Sequence, residues 1–211
     1  YKKKHFFITF EGIEGSGKSY QSLKLYKKLL KLKIPTIYTR EPGGSPSAES
    51  IRKIILSGKK NKFSSITDTL LYLASRNEHI EKTLKPAVKK NKVIICDRFI
   101  DSTSAYQVAG KKVNKNLVDN VHSHILNGFK PDLTFILKVN INKAFGRLNK
   151  RMYKNRYDSF PKTFYQTVQN AFLKLPNKNK KRYVVLDNSN DDNKVEKIIL
   201  EKILAILKKW I

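Results

Sequence analysis

The amino-acid sequence predicts an α/β protein in which a five-stranded parallel sheet is flanked by helices. Strand-like apolar runs at 6–10, 36–39, 93–96, 133–137 and 183–186 alternate with segments of helical periodicity. A glycine-rich loop follows the first run, and polar residues follow the second and third. Such alternation is typical of a parallel sheet, whose ligands bind at the carboxyl ends of the strands. We expect a single domain over residues 1–211.

The helical segments carry their own patterns. Apolar side chains at helical spacing predict one buried face of the first helix, formed by Leu23, Tyr26, Leu29 and Leu30. A second set repeats every four residues between 117 and 125, and Gly128 is predicted to close that helix as its C′ residue. A last helix is predicted over 194–210.

The composition is strongly basic. Lys and Arg number 44 against 17 Asp and Glu, a formal net charge of +27, which by itself would favour nucleic-acid binding. Most of these residues are lysines spread over the whole chain, which instead indicates a solvated surface that attracts anionic substrates. The arginines concentrate in the motifs below. We therefore expect no specific nucleic-acid partner.

The remaining composition bears on the compartment. A single cysteine, Cys96, excludes a disulfide framework within the sequence and is interpreted as a core residue. No apolar run is long enough to span a bilayer, and 6–10 is too short for the core of a signal peptide. We expect a cytoplasmic protein without a membrane partner. The histidines lack a nucleophile or metal-ligand context and are interpreted as structural or surface residues.

The strongest local signal is at residues 12–19, G-I-E-G-S-G-K-S, which match G-x-x-x-x-G-K-[ST] directly after a strand. Glycines let the backbone approach phosphates, and the following helix adds the positive end of its dipole. Lys18 would reach the β- and γ-phosphates of a nucleotide, and Ser19 would bind Mg²⁺. The other ATP-binding residues predicted in this P-loop are Gly12, Glu14, Gly15, Ser16 and Gly17. A P-loop alone does not separate a kinase from a GTPase, helicase or motor.

A second signal closes the third strand, where V-I-I-C is followed by Asp97 and Arg98. A carboxylate at this strand end would lie near the Mg²⁺. The guanidinium of Arg98 could clamp a second phosphate. An ordinary strand end with a surface ion pair is the alternative.

Three segments make the sequence resemble the thymidylate kinase family. Residues 97–107, D-R-F-I-D-S-T-S-A-Y-Q, resemble its signature; 39–44, T-R-E-P-G-G, resemble a segment of the bacterial members; and 70–76, L-L-Y-L-A-S-R, resemble a helix of the family. The resemblance covers essentially the whole chain. It implies a P-loop nucleoside monophosphate kinase fold with a short helical lid at about 146–160. It further implies a homodimer that transfers the γ-phosphoryl group of ATP to dTMP with Mg²⁺, in dTTP biosynthesis.

The resemblance also implies a dTMP site. Tyr72 would stack on thymine, Arg76 would hydrogen-bond the base O4, and Thr103 would contact N3. Arg98 would hold the phosphate, and Tyr106 would pack against the deoxyribose. Tyr72 as a core residue and Arg76 in a surface ion pair are the structural alternatives. The other dTMP-binding residues implied are Glu14, Arg40, Glu41, Ser102 and Gln107.

The lid segment is rich in arginine. Arg147 and Arg151 are four residues apart and would repel each other on one helix face unless a polyphosphate lay between them. The P-loop holds no basic residue among its three central positions, so we expect Arg151 and Arg156 to supply charge to the transferred phosphoryl group. Arg147 would bind ATP, and stacking on adenine is an alternative for Arg156. A basic, solvated helix is the alternative without a function.

Some positions depart from the family pattern. Tyr72 stands where Phe is usual, Val108 where Gly is usual, Asn155 where Asp is usual, and Asp158 where Glu is usual. None removes a chemical group that phosphoryl transfer requires.

Three other functions compete with dTMP phosphorylation. A kinase for dUMP or dCMP is one; the base contacts argue against cytosine more firmly than against uracil. A nucleic-acid-dependent P-loop ATPase would fit the charge but not the segments at 97–107 and 147–158. A nucleotide-binding regulator without turnover would not need Lys18, Ser19 and Asp97 together.

Overall fold

A computed structural model describes residues 5–150, 152, 155–190 and 192–208, without the side chain of Lys178. Five strands form one parallel sheet in the order β2-β3-β1-β4-β5. Their bounds are β1 Phe6–Glu11, β2 Thr36–Arg40, β3 Val93–Asp97, β4 Leu133–Lys138 and β5 Tyr183–Asp187. The predicted five-stranded parallel sheet is confirmed.

Helices flank the sheet. The α-helices are α1 Lys18–Lys31, α2 Pro46–Leu56, α3 Ser65–His79, α4 Lys85–Lys89, α5 Ile100–Thr103, α6 Lys115–Ile125, α7 Ile141–Asn149, α8 Lys162–Lys174 and α9 Lys194–Leu207. Two π-helical segments, Ile80–Leu84 and Ser104–Gly110, continue α3 and α5, and 3₁₀ turns occur at Arg156–Ser159 and Leu175–Lys178. Among the described residues, none of these helices is long and apolar enough to cross a membrane.

The strand register brings the chemistry to one edge. Asp97 pairs with Phe10 on one side and with Arg40 on the other, so three strand ends lie at one level. Alternate side chains of the strands pack on opposite faces. Ile8 contributes to the core beneath α1 and α9, whereas Phe7 packs its ring edge-on against Phe99 at 5.0 Å on the other face. The sheet is therefore covered on both sides, and its carboxyl edge carries the polar residues.

Three details of the predicted helices are corrected. Leu29 is buried as predicted, but Leu23 and Leu30 are 38% and 45% exposed, because α1 packs Leu25 rather than these two residues against the sheet beside Leu29. Helix α6 ends at Ile125, before Gly128, since Asn127 already adopts a left-handed conformation with φ of 44°. Helix α9 ends at Leu207, and the last two residues of its predicted range lie outside the described residues.

Candidate active site

The loop between β1 and α1 contains positions that require glycine, and Gly15 and Gly17 are two of them. Gly15 and Gly17 have φ of 73° and 85°, in the left-handed region that side chains disfavour. A Cβ on Gly15 would lie 2.4 Å from the carbonyl oxygen of Ala144, and one on Gly17 would lie 2.3 Å from Nδ2 of Asn188. Helix α1 begins directly after this loop, so its positive end faces the site.

Lys18 lies at the start of α1 and is almost completely buried. Its ammonium donates to the carbonyl oxygen of Ile13 at 3.2 Å, which holds the side chain against the loop. The same residue lines the cavity described below. A buried ammonium in this place offers a positive charge to a phosphate group.

Ser19 and Asp97 meet at the end of β3. The Ser19 hydroxyl donates to Oδ2 of Asp97. Within the described part of the chain, Oδ1 of Asp97 is buried and has no hydrogen-bond partner. A hydroxyl oxygen beside an unsatisfied carboxylate oxygen is the hard donor set that Mg²⁺ prefers, so the residues present fit this ion.

Arg98 joins the P-loop to the segment after β3. Its guanidinium donates to the carbonyl oxygen of Gly12 at 2.9 Å, to Glu14 at 2.9 Å, and to the hydroxyls of Ser102 at 3.1 Å and Tyr106 at 3.2 Å. Its backbone has φ of 72°, which is rare for a residue with a side chain. This strained residue is fixed from several sides and faces the cavity.

Glu14 is the acidic partner of Arg98. It also accepts a hydrogen bond from the Tyr106 hydroxyl. Burial acts to raise the pKa of Glu14, but the charges of Arg98 and Lys18 outweigh it and lower that pKa. Glu14 is therefore a carboxylate that fixes the tyrosine and the arginine together.

Arg76 lies one helical turn after Tyr72 on α3. All three of its guanidinium nitrogens have acceptors: Glu41 at 2.7 and 2.8 Å, the carbonyl oxygen of Phe99 at 3.0 Å, Thr103 at 2.8 Å and Nε2 of His122 at 2.7 Å. The alternative of a surface ion pair is wrong, because Arg76 is only 2% exposed.

A cavity of about 200 Å³ connects these groups. It brings together most of the predicted site residues: Glu14, Lys18, Ser19, Arg40, Glu41, Tyr72, Arg76, Asp97, Arg98, Ser102, Thr103, Tyr106 and Gln107. In the described structure Nε2 of Gln107 is buried without a hydrogen-bond partner, and so a donor is left over in the cavity wall. Gly12, Gly15, Ser16 and Gly17 do not line this cavity.

Among the lining residues that were not predicted as site residues, Arg52 and Tyr157 have side chains that can contact a nucleotide. Arg52 of α2 lines the cavity, and one of its nitrogens donates to the carbonyl oxygen of Pro42 at 2.6 Å. No motif marked it, although it is one of few arginines in a lysine-rich chain. Tyr157 also lines the cavity, and its ring lies edge-on to Tyr72 and Tyr106, with ring centroids 6.2 Å away in both cases. It stands inside the arginine-rich segment but was given no role.

Arg147 is placed beside the P-loop rather than in the cavity. Its guanidinium donates to the carbonyl oxygens of Gly15 at 3.0 Å and of Asn188 at 3.0 Å. It therefore links α7 and the end of β5 to the loop. The strand β5 is one edge of the sheet, and β2, which carries Arg40, is the opposite edge.

The two arginines expected at the transferred phosphoryl group are placed differently. Arg151 lies outside the described residues. Arg156 is 4% exposed and does not line the cavity; its guanidinium pairs with the buried carboxylate of Asp68 and donates to the carbonyl oxygen of Ile55. The structure thus does not bring Arg156 to Lys18, and its catalytic role stays a prediction that this conformation does not favour.

Asn155 and Asp158, two departures from the family pattern, cap the 3₁₀ turn at the end of the predicted lid. The Asn155 side chain accepts from the backbone N–H of Tyr157 at 2.8 Å, and Asp158 accepts from the backbone N–H of Asn155 at 2.9 Å. This reciprocal pair is a capping box, which suits Asn and Asp in these positions. The departures therefore preserve a defined turn.

The sequence model of the thymidylate kinase family matches residues 10–199. The chain belongs to the thymidylate kinase family. It is 43% identical over 203 residues to thymidylate kinase of Mycoplasma capricolum subsp. capricolum, covering 93% of this chain and 95% of the relative. It is 38% identical to thymidylate kinase of Acholeplasma laidlawii, covering 95% of this chain and 100% of the relative.

A solved structure of a family member has a similar fold. The crystal structure of thymidylate kinase from Ehrlichia chaffeensis superimposes with a TM-score of 0.75 at 32% identity, covering 95% of this chain and 98% of that one. Thymidylate kinases are transferases that phosphorylate dTMP with ATP as the phosphate donor, and this chain is an enzyme of that kind. The other functions considered for the sequence are not favoured.

Proposed function

We propose that the cavity binds dTMP and that Arg98 holds its phosphate in line with the γ-phosphate of ATP. The observation that carries this assignment is the position of Arg98, which bonds both to the P-loop and to the segment that bears Ser102 and Tyr106. An acceptor phosphate on Arg98 would lie between Lys18 and the base-binding end of the cavity. Positioning of two anions in this way is the main task in phosphoryl transfer.

Tyr72, Thr103 and Gln107 read the base under this proposal. Tyr72 offers an aromatic face in the cavity wall, and Arg76 donates to Thr103 and so orients its hydroxyl. The unpartnered Nε2 of Gln107 needs an acceptor, which a pyrimidine carbonyl supplies. Tyr106, which hydrogen-bonds Glu14, would pack against the deoxyribose and crowd a 2′-hydroxyl.

Arg40 and Arg52 form the outer rim of the phosphate site. Arg40 pairs with Glu49 at 3.1 Å and is half-exposed, while Arg52 is more deeply placed and 4.0 Å from the same carboxylate. Burial, and next the charge of Arg40, lower the pKa of Arg52. The carboxylate of Glu49 offsets only part of this effect, so a phosphate beside the two arginines would add favourable negative charge, which supports a phosphate there.

Ser19 and Asp97 would hold Mg²⁺, since their oxygens lie together and, among the described residues, Oδ1 of Asp97 has no hydrogen-bond partner. When bound, the ion neutralises phosphate charge. ATP binds along the P-loop, with Gly12, Glu14, Gly15, Ser16 and Gly17 lining its phosphates and Arg147 near the loop. Arg151 supplies the cation that the central positions of the P-loop lack, while Arg156 has a structural role in the lid segment.

The assembly and compartment are part of the proposal. A homodimer is supported by exposed apolar side chains on neighbouring helices: Ile54 of α2 and Ile66 and Leu70 of α3 are 47%, 55% and 45% exposed. A cytoplasmic location is supported by the nucleotide substrates. The continuous five-stranded sheet supports one domain with a short lid.

A coupled ADP-release assay over dTMP, dUMP and dCMP tests the substrate. We expect the highest kcat/KM with dTMP, less with dUMP and almost none with dCMP. Lys18→Ala should abolish transfer without loss of fold, and Lys24→Ala, an exposed lysine on the same helix, is the matched control. Hydrolysis of ATP that single-stranded DNA stimulates, without transfer to dTMP, would overturn the proposal.

A further inference from the structure

Asp68 on α3 is a fully buried carboxylate that does not line the cavity. One oxygen pairs with Arg156, and the other pairs with Lys111 and accepts from the Tyr157 hydroxyl at 2.7 Å. Three donors from two distant parts of the chain thus converge on one acidic side chain. No sequence motif marks Asp68, because its partners are 43 to 89 residues away.

Two of these partners belong to the return segment, which we define as Asn155 and the 3₁₀ turn Arg156–Ser159 at the end of the predicted lid. Arg156 is fixed on its other sides by the carbonyl oxygen of Ile55 and by the ring of Phe63, 5.6 Å from its guanidinium carbon. Tyr165 of α8 donates to the carbonyl oxygen of Tyr157 at 2.7 Å. The return segment is therefore clamped between α2, α3 and α8.

The positive charges of Lys111 and Arg156 require a negative charge at position 68. Lys111 and Arg156 have side chains that are 9% and 0% exposed, and both cations pair with the carboxylate of Asp68. Without the carboxylate, two buried cations would lie close together without compensation, an arrangement that strongly disfavours the observed position of the return segment. A neutral side chain at position 68 would therefore push the return segment away from α3.

The contacts between Asp68 and the return segment lie next to the wall of the cavity. Tyr157 stands in that wall, with its ring edge-on to Tyr72 and Tyr106. Asp68 and Tyr72 are four residues apart on α3 and so share one face. The same helix therefore presents the proposed base-stacking ring and holds the tyrosine opposite to it.

We propose that Asp68 is a positioning residue of the dTMP site, which fixes Tyr157 against Tyr72 and Tyr106 and thereby closes the cavity over the acceptor nucleotide. This inference rests on the proposed dTMP site. It also gives Arg156 a structural role, in which its pairing with Asp68 anchors the return segment to α3, rather than a role as a donor to the transferred phosphoryl group. Asp68 acts through Tyr157 and touches no substrate.

Steady-state kinetics of Asp68→Asn, with dTMP and ATP varied separately, test the proposal. The amide keeps the shape of the side chain and removes its charge. We expect KM for dTMP to rise about tenfold or more, with KM for ATP within about twofold of the parent. Asp68→Glu, which retains the charge, should recover most of the affinity. Asp119→Asn, which removes an exposed partner of Lys115, is the matched control and should change neither constant.

A second variant separates positioning from simple loss of stability. Tyr157→Phe keeps the ring and removes the hydroxyl that binds Asp68, and it leaves the two cations paired. It should raise KM for dTMP in the same direction, and the effects of Asp68→Asn and Tyr157→Phe should be less than additive in the double variant. Equal increases in both KM values, or a lower melting temperature with unchanged KM for dTMP, would overturn the role of Asp68. A parent enzyme that fails to phosphorylate dTMP would instead overturn the proposed function.

Discussion

Nε2 of His122 lies 2.7 Å from Nη1 of Arg76, and this contact defines the protonation state of the imidazole. A guanidinium only donates hydrogen bonds, so Nε2 must be the acceptor and the ring must be neutral. Burial, and then the charge of Arg76, lower the pKa of His122 to about 4. A histidine thus supports the arginine at the base end of the cavity.

This contact predicts a loss of stability in mild acid. The unfolded histidine has a pKa near 6.5, so between about pH 6.5 and pH 4 the unfolded chain binds more protons than the folded one. Stability from this residue is complete above that range and falls as the pH decreases through it. We expect about 1–2 kcal/mol of loss between pH 7.5 and pH 5, reduced by the partial exposure of the ring. Urea unfolding of the parent and of His122→Gln, which can still accept but does not titrate, should diverge below pH 6.5. Parallel curves would show that the imidazole is not the acceptor.

Glu11 predicts the opposite pH dependence. It is fully buried at the end of β1 and accepts from the backbone N–H of Phe99 at 2.7 Å and from Ser102 at 2.6 Å. Burial, and next the charge of Asp101, raise the pKa of Glu11. Because the folded pKa is higher than the unfolded one, its contribution to stability decreases as the pH rises through neutrality. Glu11→Gln, which resembles the protonated acid, should gain at least about 1 kcal/mol over the parent at pH 9 relative to pH 5. The exposed Glu81→Gln is the control, and an equal pH profile for parent and Glu11→Gln would contradict the raised pKa.

Arg98→Ala should weaken dTMP use far more than ATP binding. The structure adds a second effect, because removal of the guanidinium leaves the carboxylate of Glu14 buried and without its cation. We expect a loss of about 3 kcal/mol or more of stability together with a large increase in KM for dTMP. Arg98→Ala with Glu14→Gln should recover part of the melting temperature but not the affinity for dTMP. Recovery of both would mean that Arg98 acts only through Glu14.

Substitution of the two arginines of the lid should have different effects on kinetics and stability. Arg151→Ala should lower kcat by about 10²–10³ with smaller changes in KM, because a preorganised cation acts mainly in the transition state. Arg156→Ala should lower the melting temperature and raise KM for dTMP, since it leaves Lys111 alone with Asp68. Steady-state kinetics and thermal unfolding of both variants distinguish a role in the transition state from a structural role. A large loss of kcat in Arg156→Ala at unchanged stability would restore the role first expected for that residue.

The strands were predictable because their signal is local. Each of the five extends one residue further than its apolar run, to Glu11, Arg40, Asp97, Lys138 and Asp187. The added residue is polar, so a prediction from apolar runs ends each strand one residue before its true carboxyl end. The P-loop and the segment after β3 were likewise predicted from short contiguous motifs.

The remaining features depend on distant contacts. The burial of Arg156 follows from Asp68, 88 residues earlier in the chain, and Arg52 enters the cavity only because α2 packs against α3. The buried face of α1 was only partly predicted because apolar side chains occur on more than one side of that helix, and packing against the sheet buries Leu25 beside Leu29 but leaves Leu23 and Leu30 exposed. No pattern within one segment contains this information.

The left-handed backbone at Arg98 limits what evolution or engineering can place there. Glycine would adopt φ of 72° without strain but would bring no head group, and asparagine would tolerate the conformation but carry no charge. Lysine would keep a cation yet meet the same backbone penalty, on the order of 1 kcal/mol, without the planar fork. Each replacement meets one requirement and fails another. Position 98 should therefore be among the least exchangeable in a saturation library, whereas neighbouring positions of ordinary conformation should accept more amino acids.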